Sequence, residues 1–245
     1  MCGRYVMFST TETVLAATSR LIGEQVGAVG GGAAGRKVAP SWNIAPTHTV
    51  GVLRRFNGVV TLGPAVWGYP APWDGGRTLF NARGETVFGK SGFRGSAPCL
   101  FVMDGWYEWK DRQPYYVSVR DGRGPLLAAG LCRAGSGATG GVLEATMVTT
   151  ASVAPVDWLH DRMPRVLGGP REVLTWLDGS DGDRRAVAAA RPPEEVLTSL
   201  TTVEADRRVG HVSANGPELI DGEGQLWRPG RPGAAGVGGG GGWGD

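Results

Sequence analysis

The spacing of apolar positions changes twice along this chain. Near the start, Val14, Leu15, Thr18, Leu21 and Ile22 recur at helical intervals behind Ser9-Thr10-Thr11-Glu12, which reads as a capping box, and Gly23 is a natural stop. From residue 50 to residue 150 the pattern becomes short and strand-like. Residues 50–55 and 59–65 flank Asn57-Gly58, a strong hairpin signal. Further strands are predicted at 99–103, 106–110, 115–120, 126–132 and 143–150, with a short one at 165–167. Helical spacing returns at 170–177, 184–190 and 194–200, with Pro170 acceptable at a first helical position. Between these, residues 40–46 form a Pro-bounded, turn-rich segment that excludes a helix interior, and residues 67–73 an aromatic and proline loop. Residues 80–86 are expected to enter a short helix. Mid-chain strands with helices at both ends predict an α+β fold. We expect a single domain over residues 2–227, a mostly antiparallel, barrel-like β-sheet with flanking helices.

Glycine punctuates this pattern. Residues 27–35 (GAVGGGAAG) predict a flexible loop, and the stretch from Arg228 to Asp245 is a low-complexity tail that buries no core. The remaining composition, 41% hydrophobic and 20% charged in 245 residues, is that of an ordinary globular chain. No apolar run approaches the ~20 residues of a membrane span, and the start lacks a secretory signal's charged and apolar regions, so a cytoplasmic location is expected. Cys2, Cys99 and Cys132 lack metal-knuckle spacing, and His48, His160 and His211 lie far apart. Neither a metal site nor a cofactor is expected. The formal charge of +2 does not advertise nucleic-acid binding, yet all but three of the 25 basic residues are Arg, which suits bidentate phosphate contact. A genome-composition bias would produce the same excess, along with the 42 glycines, and is the larger cause on this reading.

Candidate chemistry begins at Met1-Cys2-Gly3-Arg4-Tyr5. Initiator Met is commonly trimmed before a small residue, and its loss leaves Cys2 with an α-amine beside its thiol. Ordinary pKa values of about 8 and about 8.5 leave both partly deprotonated near neutrality. Such a 1,2-aminothiol forms an imine with an aldehyde, and the sulfur then closes a thiazolidine ring with the effective molarity of a pre-positioned partner. Read alone, Cys2 is more readily an ordinary residue of a frayed terminus, and the rest of the chain has to change that reading.

Three further polar residues stand out. Asn81 serves either as a helix N-cap or as an amide that binds a sugar or aldehyde oxygen. Glu108 lies in Trp106-Tyr107-Glu108-Trp109; on an inward strand face its pKa is raised and suits proton transfer, whereas on an outward face it is merely exposed. His160, in His160-Asp161-Arg162-Met163-Pro164, is either structural or an acid–base group tuned by its neighbours.

Taken together, these segments resemble the SRAP family, the SOS-response-associated peptidase-like proteins that process abasic sites in DNA. The resemblance rests on residues 1–5, Asn43-Ile44-Ala45-Pro46-Thr47, Trp67-Gly68-Tyr69, Asn81-Ala82-Arg83-Gly84-Glu85-Thr86, Asp104-Gly105-Trp106-Tyr107-Glu108-Trp109 and residues 160–164, in order. Residues 215–220 resemble the family's closing strand. The resemblance implies a twisted sheet around a groove for single-stranded DNA and a monomeric protein. It also implies covalent capture of the ring-opened abasic aldehyde by Cys2 as a thiazolidine crosslink that protects the lesion. By the same resemblance Asn81 orients Cys2 and the sugar, Glu108 shuttles protons and His160 acts in ring opening and reversal. Arg4, Asn43, Pro46, Trp73, Arg83, Trp109, Thr149 and Arg162 contact DNA.

A different chemistry fits the same terminus. In an N-terminal-nucleophile amidohydrolase or peptidase the α-amine is the base, Cys2 the nucleophile and Asn81 the oxyanion donor. A third reading is a non-catalytic nucleic-acid-binding module.

Overall fold

The computed structural model describes residues 2–29, 38–71, 74–120, 124–136 and 142–220. Trp73, most of the 27–35 loop and the 228–245 tail lie outside the described residues. In chain order the elements are β1 (Arg4–Met7), α1 (Thr11–Ile22), β2 (Val26–Ala28), β3 (Ser41–Ile44), β4 (Thr49–Phe56), β5 (Val59–Trp67), β6 (Tyr69–Ala71), β7 (Arg77–Leu79) and β8 (Asn81–Arg83). There follow β9 (Ala97–Met103), β10 (Gly105–Lys110), β11 (Gln113–Val119), β12 (Leu126–Arg133), β13 (Leu143–Ala151) and β14 (Arg162–Pro164). The chain then runs through α2 (Gly169–Asp178), α3 (Asp181–Ala189), α4 (Glu194–Ser199) and β15 (Leu200–Glu204).

Two sheets carry the architecture. The larger runs β14-β13-β12-β9-β4-β5-β2, and β5 returns to the start of β13 in parallel, Leu143↔Ala65 to Ala145↔Trp67. The strands thus curl into a barrel-like ring rather than a closed barrel. The smaller sheet runs β15-β11-β10-β1-β3. This is the α+β, largely antiparallel arrangement that the strand pattern predicts.

Strand alternation explains how the two sheets share a core. Tyr5 and Met7 of β1, and Trp106 of β10, face the large core beneath the ring, where Tyr5 meets Trp67 edge-on at 5.2 Å. Val6, Tyr107 and Tyr116 face a second, smaller cluster closed by Val209 and Leu219. Asp104 joins the sheets: its carboxylate accepts from Phe8 N, Ser9 N and Ser9 Oγ, at 2.5–2.8 Å. Gly105 has to be glycine, because a Cβ there would lie 2.4 Å from Val117 O and 2.5 Å from the Tyr116 ring.

Several local expectations shift. The N-cap of α1 is Thr10, whose side chain accepts from Thr13 N, because Ser9 is taken by Asp104. Residues 80–86 hold a strand, not a helix: β8 pairs in parallel with β13, a long-range contact that local spacing does not encode. Residues 41–44 and 69–71 are strands within segments read as turn and loop, and the 27–35 loop begins inside β2. The strand predicted at 165–167 is β14, displaced to Arg162–Pro164, with a single bridge at Ala128↔Val166. Residues Pro217–Ile220 form a 3-10 turn rather than a closing strand. No described helix is long and apolar enough to cross a membrane.

Candidate active site

Cys2, immediately ahead of β1, is fully buried, and its thiol donates weakly to Arg4 O at 3.6 Å. Asn81 reaches it from β8: the amide Nδ2 donates to Cys2 O at 2.7 Å. Two features hold β8 for this contact. Its register against β13 is Met147↔Asn81 and Thr149↔Arg83, and Gly84 lets α3 approach, since a Cβ there would sit 2.3 Å from Ala188 O. Asn81 Oδ1 is enclosed and, among the described residues, accepts no hydrogen bond. It is an enclosed acceptor without a donor, as is Asn43 Oδ1, a costly state in a packed interior.

Glu108 settles on the inward side. Tyr107 pairs with Arg4 of β1, so the next residue on β10 reaches the Cys2 end of that strand. Trp106 and Glu108 alternate toward the main core, while Tyr107 and Trp109 turn to the second cluster. Only 4% of Glu108 is exposed. Burial pushes its carboxyl up to about 7, and the negative charge of Asp161 acts in the same direction. Burial, followed by the nearby Glu108 charge, also holds the Cys2 thiol well above its ordinary pKa. The thiol is therefore protonated at neutrality, contrary to the partial ionisation that reference values suggest. It needs a base beside it, and Glu108 has the right strength.

His160 and Asp161 lie on the turn between β13 and β14. His160 Nδ1 accepts from Arg162 N–H at 3.0 Å and lies 2.6 Å from Asp161 Oδ1. The first contact selects the Nε2–H tautomer of the neutral ring; protonation at Nδ1 would turn that nitrogen toward Asp161. Burial lowers the His160 pKa, Asp161 opposes the shift and Arg162 adds to it. Asp161 also couples this turn to Glu108. The structure thus brings Cys2, Asn81, Glu108 and the His160 turn to one place from four separate stretches of chain.

The predicted DNA contacts divide. Arg83, two residues from Asn81 on the same strand face, is exposed. Arg4 is partly buried, with Nη1 on Gly3 O and Nε enclosed without an acceptor among the described residues. Arg162 is held bidentately by Glu85, at 2.7 and 2.9 Å, and also donates to Thr149 O at 2.6 Å. Glu85 is a partner that sequence reasoning missed, although it shares a motif with Asn81. Pro46 is half-buried in the turn after β3. Three more are packed against the protein itself. Asn43, 2% exposed, pins the 209–214 segment through Nδ2 contacts to Val209 O, His211 O and Ala214 O. Thr149 is 1% exposed under Arg162, and Trp109 packs into the second cluster on the face opposite Glu108. Asn43 and Thr149 are thus buried, and Trp109 is partly buried on the sheet face away from Glu108. Among the described residues no group of three or more His, Cys, Asp or Glu is placed to hold a metal.

A family model described as SOS response associated peptidase (SRAP) matches residues 1–212. The chain belongs to the SRAP family. Among its SRAP-type relatives, the abasic site processing protein YedK of Escherichia coli (strain K12) is 30% identical over 235 residues, covering 90% of this chain and 99% of that protein. The abasic site processing protein YoqW of Bacillus subtilis (strain 168) is 28% identical, with 90% and 99% coverage. A solved structure of a Bacteroides thetaiotaomicron protein superposes with a TM-score of 0.70 at 17% identity, covering 90% of this chain and 99% of that one, which establishes the shared fold.

Proposed function

We propose that this SRAP protein senses abasic sites in single-stranded DNA and, once Met1 is removed, captures their ring-opened aldehyde on Cys2 as a thiazolidine crosslink. One observation carries this reading: Cys2 is held at its carbonyl by Asn81 while a carboxyl with a pKa of about 7 lies within electrostatic reach of its thiol. The names of the relatives YedK and YoqW, abasic site processing proteins, support the choice of substrate.

The chemistry balances within the groups present. Opening of the deoxyribose moves a proton from the anomeric hydroxyl to the ring oxygen and frees the aldehyde at C1′. The Cys2 amine adds to C1′ and water leaves, giving an imine. The thiol sulfur then adds to the same carbon, and its proton passes to the nitrogen. One water is lost overall. Glu108 takes and returns protons near neutrality, and the His160 turn acts on the sugar oxygens during opening and reversal. Asn81 Oδ1 receives the Cys2 amine or a sugar hydroxyl. Because Asn81 Nδ2 is already bound to Cys2 O, the arrangement suits a trap better than an amidohydrolase, whose oxyanion needs that donor.

A duplex hides the abasic sugar, whereas a single strand presents it without unstacking. Phosphates flanking it meet Arg83, Arg4 and Arg162, the last exchanging Glu85 for DNA. Arg83→Ala should make the dependence of single-strand affinity on salt shallower by about one unit of log–log slope. An unchanged slope would place the phosphate track elsewhere.

The proposal is tested by incubating the Met1-free protein with abasic and undamaged oligonucleotides and heating before electrophoresis. A heat-stable shifted band only with the abasic strand is the expected result. Single-strand binding without any such band would leave a non-covalent binder.

A further inference from the structure

On the turn that leads to His160, Val156 and Leu159 are buried at 3% and 4% exposure, and Leu159 N donates to Val156 O at 3.1 Å. Ser152 N closes the same turn by donating to Asp161 O at 2.9 Å. Between these anchors Trp158 is turned outward, 46% exposed, although large aromatic side chains are the ones a fold gains most by burying. Among the described residues its ring contact is with Tyr115, T-shaped at 5.0 Å and 79°. Tyr115 is the direct cross-strand partner of Glu108. Directly paired residues point to the same side of a sheet, so the Tyr115 ring lies beside the Glu108 carboxyl. The aromatic pair therefore borders the site from both of its neighbours, the Glu108 strand and the His160 turn.

We propose that Trp158, propped by Tyr115, is a stacking platform for the unpaired base next to the abasic nucleotide. The inference rests on the reading of the site as a trap for abasic single strands and adds the feature that positions the strand in it. Every base has an uncharged π-face, and aromatic side chains bind single strands through it. The nearby charge favours a base over a phosphate: Asp157, next to Trp158, and Asp161, three residues on, are both exposed and repel the backbone. Tyr115, nearly perpendicular to Trp158, limits the ring's rotation, and the 46% of Trp158 left exposed is available to the base. A strand whose lesion lacks its own base has lost one stacking contact, and this platform restores hold on its neighbour.

The test uses oligonucleotides with a tetrahydrofuran abasic analogue, which has no aldehyde and so reports binding separately from crosslinking. Each carries a purine on the 5′ or 3′ side of the analogue, or a second tetrahydrofuran there. Fluorescence anisotropy should show Trp158→Ala binding one of the two purine-flanked strands roughly 5- to 100-fold more weakly than the parent protein, the span of a single base–aromatic stack. The loss should vanish when that purine is replaced by the second analogue, and Trp158→Phe should restore most of it. With a true abasic strand, Trp158→Ala should need a correspondingly higher protein concentration than the parent to reach half of its maximal crosslinking rate. Equal losses with and without the flanking base, or no loss on either side, would overturn the platform. A parent protein that binds these analogues yet never crosslinks a true abasic strand would sink the trapping reading and leave the stacking result standing.

Discussion

Glu108→Gln should slow crosslinking by about 10²–10⁴-fold while leaving affinity for single-stranded DNA unchanged, because it removes a proton carrier and keeps the shape of the site. The effect has a pH signature. Burial holds the Glu108 carboxyl at about 7, so the parent protein's rate profile should bend near that pH and the variant's should not. Stability should move the opposite way. Glu108 binds its proton more tightly folded than unfolded, so its stabilising contribution is complete below the ordinary 4.5 and is lost as pH rises through about 7. A shift of that size corresponds to about 3 kcal/mol. Glu108→Gln should accordingly exceed the parent in stability by up to about 3 kcal/mol in denaturant titrations near pH 8, and match it near pH 4. A variant that crosslinks at the parent rate across neutral pH would make Glu108 a structural residue. The two effects together would mark a buried carboxyl kept for chemistry at a cost to the fold.

An uncleavable residue placed ahead of Cys2 should abolish heat-stable crosslinking while retaining single-strand binding, because an amide nitrogen cannot form an imine. Cys2→Ser keeps the amine but offers a hydroxyl that ionises poorly. It should yield an adduct only when borohydride reduces the imine, and that adduct should be absent without reduction. Cys2→Ala should behave in the same way. The surroundings sharpen this expectation: with the thiol fully buried and its pKa raised, sulfur attack depends on an adjacent base rather than on free thiolate. Combining Cys2→Ser with Glu108→Gln should therefore cost little more in ring closure than Cys2→Ser alone, since both changes disable the same step. Gel quantification of reduced and unreduced samples separates the two stages.

What was legible in the sequence was mainly local. Asn57 and Gly58 adopt the positive φ values, 49° and 79°, that a tight hairpin turn requires, and β4 pairs with β5 across them. Gly23 ends α1 in the left-handed conformation expected of it, with its N–H on Ser19 O. Contacts between distant strands were not legible. Nothing in residues 80–86 announces pairing with β13 sixty-odd positions later, and their local spacing favours a helix where the structure has a strand. Period-two alternation in Trp106-Tyr107-Glu108-Trp109 fixes which residues share a face but not which face is inward, as both sides carry an aromatic. The structure resolves this through the two clusters, sending Glu108 inward and Trp109 away. Asn43 and Thr149 belong to motif-bearing or strand segments, yet Asn43 Nδ2 and Thr149 Oγ1 donate to backbone carbonyls and Thr149 Oγ1 also accepts from Arg162. A motif match marks a position without saying whether the residue there touches substrate or holds the scaffold.

The most direct test of the aminothiol trap is intact-mass analysis of the protein–DNA adduct followed by digestion and peptide mapping. The account predicts a mass equal to the Met1-free protein plus the abasic oligonucleotide less one water, with the modification on the peptide that begins at Cys2 and unchanged by borohydride. An adduct that retains Met1, or one mapped to a lysine such as Lys90 or Lys110, would contradict it.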